Sequence, residues 1–156
     1  ALKPICARYG VPLILNDAVE LAKEVDADGV HVGQDDMSVA RARAILGPGK
    51  IIGASAHNVA EAVAAYKAGA DYLGCGAVFG SATKTDASHL PEGELARVCA
   101  ATPLPVVGIG GITEENLPRL TGSGVAGVAL VSALFAPADK PAAVARLLAS
   151  LEKTLG

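Results

Sequence analysis

Three features of this sequence predict an α/β fold with a parallel sheet that curls into a barrel. One pattern recurs six times: a short β-branched or Leu-rich run, a polar or Gly-rich turn, then an Ala-rich amphipathic stretch. The runs are apolar on both faces, as in parallel sheets covered by helices. Internal similarity adds the third feature. Asp26-Ala27-Asp28-Gly29-Val30-His31-Val32-Gly33 resembles Gly69-Ala70-Asp71-Tyr72-Leu73-Gly74-Cys75-Gly76 and, more loosely, Gly124 to Val131. The offsets, 43 from Asp28 to Asp71 and 55 from Asp71 to Ala126, each span about two strand-helix units. Corners recurring at that interval fit a ring better than an open doubly wound sheet. The predicted class is the TIM (β/α)8 barrel, with six of its eight strand-helix units in residues 1–156 as one partial domain.

The elements follow in order. Leu2 to Tyr9 reads as the end of a helix, with Gly10 as its C-terminal cap. The strand runs are Val11 to Leu15, Gly29 to Val32, Ile51 to Ala54, Asp71 to Gly76, Pro105 to Ile109 and Val125 to Val131. The helical stretches are Ala18 to Val25, Ser38 to Leu46, Asn58 to Ala68, Glu92 to Ala101, Glu114 to Leu120 and Pro141 to Leu155. A complete barrel takes ~250 residues and eight pairs. Two pairs, or ~60 residues at that size, are therefore expected ahead of Ala1. The only Met is Met37, and the opening helix has no strand before it, so an N-terminal truncation is expected. Unpaired edges on such a sheet invite a homo-oligomer or an associated N-terminal fragment.

Composition narrows the function classes. The 156 residues are 51% hydrophobic and 19% charged, and 13 Lys+Arg against 16 Asp+Glu leave a net charge of −3. Those values describe a globular domain and not a basic nucleic-acid binder or a disordered chain. Aromatics are 3% with no Trp, which argues against base-stacking platforms. No apolar run approaches the ~20 residues of a membrane span, and a secretory leader is not evident, so a cytoplasmic protein is expected. Cys6, Cys75 and Cys99 are widely spaced and odd in number, and read as free thiols.

Chemically useful residues gather after the strand runs. These are Asn16-Asp17, Gln34-Asp35-Asp36, Ser55-Ala56-His57, the loop Gly76 to Lys84, Gly110-Gly111 and Ser132. The opposite turns are plain, as in Gly47-Pro48-Gly49. In a parallel barrel the carboxyl ends of the strands make the active face. Asp17 and Asp36, after neighbouring strands, supply paired hard oxygen ligands suited to Mg²⁺. The competing role for each is a helix cap. Gly110-Gly111 before a helix exposes backbone N–H groups to a phosphate, and Ser132 follows at the end of the last run. Lys84 lies in the hydroxyl-rich stretch Gly80 to Thr85, which also suits phosphate, the alternative being a solvated surface lysine. His31, inside a strand, reads as a satisfied interior side chain, whereas His57, just past one, can reach a substrate. No Gly-x-Ser-x-Gly elbow occurs, which disfavours covalent acyl chemistry.

Leu13-Ile14-Leu15-Asn16-Asp17, Gly29 to Asp36 with its Gly-Gln-x-Asp, Ile52 to His57, Gly69 to Tyr72 running on to Thr83-Lys84, and Val106 to Ile112 together resemble the thiamine-phosphate synthase family. The resemblance runs the length of the chain. It implies a barrel enzyme that joins 4-amino-2-methyl-5-hydroxymethylpyrimidine diphosphate to hydroxyethylthiazole phosphate, releasing pyrophosphate. It further implies that Asp17 and Asp36 hold Mg²⁺, that Asn16 binds the pyrimidine diphosphate, and that Ser55 contacts the same substrate. Lys84 bridges to the diphosphate, making Lys84 and Ser55 the catalytic pair, while Ser81, Thr83, Gly111 and Ser132 hold the thiazole phosphate. Two departures stand out. The family's Gln-x-Arg-x-Lys motif has no match, and Ser81 replaces a common Thr. A chain that truly began at Ala1 would lack those cations and is expected to have little synthase activity. The alternatives are a thiazole tautomerase-like enzyme, which shares the barrel, and a non-catalytic phosphate-ligand-binding barrel fragment.

Overall fold

The computed structural model describes residues 1–80 and 89–155. Its strands are β1 (Ile14–Asn16), β2 (Gly29–Val32), β3 (Ile51–Ala56), β4 (Tyr72–Cys75), β5 (Val106–Ile109) and β6 (Gly127–Ala129). Its helices are α1 (Leu2–Arg8), α2 (Val19–Glu24), α3 (Val39–Leu46), α4 (Val59–Lys67), α5 (Glu94–Ala101), α6 (Ser132–Phe135) and α7 (Lys140–Leu155), with a 3₁₀ turn over Leu117–Leu120. All strand pairings are parallel, and the spatial order is β1-β2-β3-β4-β5-β6. A doubly wound sheet reverses its strand order partway across; this one never does, which is the order of a curling half-barrel.

Side-chain alternation divides the sheet into two faces. Val30, Val32, Ile52, Ala54, Ala56, Leu73, Cys75 and Val106 are buried on the convex side. They pack with Val19 and Ala22 of α2, Val39 and Ala42 of α3, Ala62 and Ala65 of α4, and Leu95 and Val98 of α5 in one core. The alanines on these helices let the backbones approach the sheet closely, which explains why so Ala-rich a chain builds a dense core. Truncating a fully buried residue such as Leu73 removes ~2–5 kcal/mol. The concave side carries Asn16, His31, Ser55, Tyr72, Val107 and Ile109, and faces the cleft.

The internal repeat is a structural corner. The backbone N–H groups of Asp28, Asp71 and Ala126, just ahead of β2, β4 and β6, donate to the carbonyls of Leu13, immediately before β1, and of Ile52 and Val106 on β3 and β5. In the first two copies the carboxylate adds a second tie. Asp28 Oδ2 accepts from Leu13 N and Asp71 Oδ2 from Ile52 N, each at 2.7 Å. Arg43 also donates to Asp71 Oδ2 (2.6 Å) and to the carbonyls of Lys50 and Gly69, locking the foot of α3 to the turn before β4.

Some boundaries differ from the sequence reading. The helix expected over Glu114 to Leu120 is reduced to the 3₁₀ turn. Asn116 Oδ1 accepts from Thr113 N (2.8 Å) and its Nδ2 donates to the Gly111 carbonyl (2.9 Å), while Pro118 offers no N–H to the first turn. The last strand stops at Ala129, so Ser132 opens α6 instead of closing the strand. The third strand runs two residues further, to Ala56, and takes Ser55 within it. Gly10 has φ +64 just beyond α1, as a C-terminal glycine should.

Candidate active site

Because every strand runs the same way, Asp17, Asp36, Ser55, Gly111 and Ser132 fall at one rim of the sheet or just inside it. A cleft of about 470 Å³ opens on the concave face, lined by Asn16, Ser55, His57, Gly111 and Ser132 among the expected residues. It is also lined by His31, Tyr72, Gly74 and the apolar Ile14, Val107 and Ile109. Asp17, next to the lining residue Asn16, and Asp36 are not themselves in this lining. Ser81, Thr83 and Lys84 lie outside the described residues.

Asp17 directly follows β1 with φ +63, a left-handed backbone that Asp tolerates better than most residues. Its N–H donates to the His31 carbonyl (2.8 Å), registering it against β2, and Asn16 Nδ2 donates to its Oδ2 (2.7 Å). It caps no helix, since α2 starts from Ala18 without any side-chain cap bond. Asp36 folds back so that its Oδ2 accepts from Gly33 N (2.7 Å), and a Cβ on Gly33 would stand 2.8 Å from that oxygen. Nor does Asp36 cap α3, because Ser38 accepts from Arg41 N there. Neither aspartate thus serves as an N-cap: α2 has no side-chain cap bond and α3 is capped by Ser38. Both carboxylates follow adjacent strands and are hard oxygen donors of the type divalent cations take, and among the described residues no cluster of three or more His, Cys, Asp or Glu side chains is placed to hold a metal.

The glycine doublet is shaped by packing as well as exposure. Gly110 and Gly111 have φ +100 and +66. A Cβ on Gly111 would press on the Phe79 and Gly80 carbonyls, and one on Gly110 would fall 2.7 Å from Ala77. Phe79 N donates to the Gly110 carbonyl (3.0 Å), so the segment after β4 lies directly against the turn after β5. His57 reaches the cleft, but its ring also pairs with Glu61 through Nδ1 (2.9 Å). Burial pushes the Glu61 carboxyl up, yet hydrogen bonds from the His57 backbone and ring and from Asn58 outweigh it and hold it below its ordinary value.

His31 is satisfied in the sheet interior, as its strand position predicts, but its partners were not anticipated. They are Tyr72 and Ser55. The available signal was the pair of glycines, Gly53 and Gly74, on neighbouring strands, which becomes readable only once the register is known.

A curling parallel sheet with its polar side chains collected at the strands' carboxyl ends is the arrangement of the barrel enzymes. The sequence family described as thiamine monophosphate synthase matches residues 1–134. Similar proteins include a thiamine-phosphate synthase of Ruminiclostridium cellulolyticum, 46% identical over 147 residues, covering 94% of this chain and 70% of the relative. Another, from Methanobrevibacter smithii, is 47% identical over 134 residues, covering 86% and 64%. Among solved structures, a thiamine phosphate pyrophosphorylase from Pyrococcus furiosus superposes with a TM-score of 0.90 at 38% identity, covering 99% of this chain and 74% of that one. A 3-hexulose-6-phosphate synthase from Salmonella typhimurium, at 18% identity and a TM-score of 0.73, shares the fold. The chain belongs to the thiamine monophosphate synthase family. It spans 64–70% of the length of these two sequence relatives.

Proposed function

We propose that the cleft serves the reaction of thiamine-phosphate synthase, with the pyrimidine diphosphate and the thiazole phosphate as substrates. The bond from the pyrimidine methylene carbon to the diphosphate oxygen breaks with its electron pair leaving on diphosphate. The thiazole nitrogen then donates its lone pair to that carbon. The chief demand is neutralising charge on the departing diphosphate. Asp17 and Asp36 would hold Mg²⁺, which supplies that neutralisation when bound. Asn16 and Ser55 bind the pyrimidine substrate, Lys84 meets the diphosphate, and Ser81, Thr83, Gly111 and Ser132 take the thiazole phosphate. The observation that carries this reading is Asp17. It is held in a left-handed conformation at the end of β1, accepting from Asn16, as Asp36 follows the neighbouring strand β2.

The experiment is calorimetric titration with pyrophosphate. Binding is expected with Mg²⁺ and not with EDTA, and Asp17→Asn, which retains a side chain at home in left-handed backbone, should weaken it at least tenfold while leaving the fold intact. Metal-independent binding would favour a simple phosphate-binding barrel.

The architecture reading extends the same way. The six strand-helix units are six of the eight of a (β/α)8 barrel, forming one partial barrel domain over residues 1–156. Two further units would close the ring between β6 and β1. No helix among the described residues is long and apolar enough to cross a membrane. The small phosphorylated substrates of this reading suit a cytoplasmic setting.

A further inference from the structure

Three side chains from three neighbouring strands meet on the floor of the cleft. The Tyr72 hydroxyl of β4 lies 3.0 Å from His31 Nδ1 of β2, and the Ser55 Oγ of β3 lies 3.0 Å from His31 Nε2. Gly53 of β3 is in register with both His31 and Tyr72 and separates them. A Cβ at Gly53 would collide with the Tyr72 ring and stand 2.5 Å from His31 Nδ1; one at Gly74 would stand 2.9 Å from His31 Cε1. The imidazole therefore rests in a saddle that only glycine permits, with a partner on each ring nitrogen. Gln34 Nε2 donates to the Ser55 carbonyl (2.5 Å), fixing the serine backbone from the second strand's turn.

The chain can run in either direction, because each ring nitrogen of a neutral imidazole can donate or accept. Tyr72 is half-buried, and burial pushes its pKa above the ordinary value, so the phenol keeps a proton to give. In one direction its hydroxyl donates to Nδ1. An imidazole that accepts at Nδ1 carries its own proton on Nε2, which donates to Ser55 Oγ. The serine proton is then turned away from the histidine and toward the cleft. Around it lie Gly74 and Val107, in register with Ser55 on the next two strands, and Ile14 and Ile109. Among the described residues no Lys or Arg lines the cleft, so its floor suits a flat neutral ring better than an anion.

We propose that the chain runs from Tyr72 through His31 to Ser55, so that Tyr72 and His31 are positioning residues that hold Ser55 as a hydrogen-bond donor to the ring nitrogen of a neutral heteroaromatic ligand lying on the glycine floor. The proposal deepens the synthase reading and rests on its assignment of Ser55 to the pyrimidine substrate. The relay sets the polarity of that contact. A ligand offering an acceptor is favoured, and an isostere offering C–H or N–H at the same place is rejected.

The test uses the whole chain, with 4-amino-5-hydroxymethyl-2-methylpyrimidine as the ring probe and Mg²⁺-pyrophosphate as the anionic probe. Nitrogen NMR of labelled histidine should show His31 protonated on Nε2 alone, and Tyr72→Phe should populate the other tautomer. The same variant should weaken the pyrimidine by about three- to tenfold, the worth of one neutral hydrogen bond, without changing pyrophosphate binding. In a Ser55→Ala background Tyr72→Phe should have no further effect, because its influence passes through that hydroxyl. A wild-type ring protonated on Nδ1 or on both nitrogens, no binding of the pyrimidine, or an undiminished Tyr72→Phe effect in Ser55→Ala would each overturn the proposal. Failure of pyrophosphate to bind with Mg²⁺, with the tautomer and pyrimidine results intact, would instead remove the synthase reading and leave the relay standing.

Discussion

Cys75 shows how one buried side chain ties stability to pH. It ends β4 on the convex face, completely buried, and burial, followed by the nearby Cys99, Glu94 and Glu61, pushes its thiol up to about 12. The folded chain thus holds that proton more tightly than the unfolded chain, whose thiol titrates near its ordinary 9. The resulting contribution is complete below about pH 9 and disappears as pH climbs toward 12. Tyr72, also pushed up, acts in the same direction. Denaturant midpoints measured from pH 8 to 11 should fall, and Cys75→Ala should flatten the fall; equal slopes for both proteins would show that the thiol carries none of it. Asp26 presents the opposite case on the surface. Lys3 and Lys50 bond to its two oxygens at 2.6 Å and hold it down to about 2, but the group is fully exposed and contributes to charge placement more than to stability.

Helices α3 and α4 begin on a side-chain cap bond. Asn58 caps α4, with Oδ1 accepting from Glu61 N (2.9 Å), while Glu61 returns by accepting from Asn58 Nδ2 (2.6 Å) and from His57 N (2.8 Å). This is a capping box shifted by one residue toward the N-terminus. Asn58→Ala should cost about 1 kcal/mol, read from urea unfolding, with Asn58→Asp restoring most of it. Unchanged stability in the alanine variant would mean that Glu61 closes the turn unaided. Much of this level was legible in the residues: the six strand runs, the Gly10 stop and the Asp28 and Asp71 corners need only local pattern. The rest required partners far along the chain. Asn116 looks like an ordinary helix residue until its side chain is seen bridging Thr113 and Gly111. Tyr72 and His31 are 41 positions apart and meet only because the sheet register stacks them over Gly53. The rim placement of Asp17 and Asp36 was readable because all strands run parallel, whereas their release from capping was not, since α2 starts at Ala18 with no side-chain cap bond and Ser38 caps α3.

At the scale of the molecule, the described strands leave β1 and β6 each paired on one side only. Leu2, Ile5 and Tyr9 of the first helix region and Val131 and Phe135 after the last strand are exposed at more than half of their surface. Apolar side chains in such numbers beside open strand edges favour association. Light scattering coupled to size exclusion should give a mass above the 15.5 kDa of one chain. A stable species at that mass would show that these edges tolerate water. The strand order also bears on how the sheet comes together. Register partners lie close along the chain, from 29 − 14 = 15 residues for Ile14 and Gly29 to 106 − 73 = 33 for Leu73 and Val106. The entropy of closing a loop grows only with the logarithm of its length, about 0.6 kcal/mol per doubling. No pairing is therefore much harder to form than another, and each new strand finds its place already laid out by the one before. A half-ring of this kind can grow by accretion from any interior pair, with nothing to thread and no distant end to wait for.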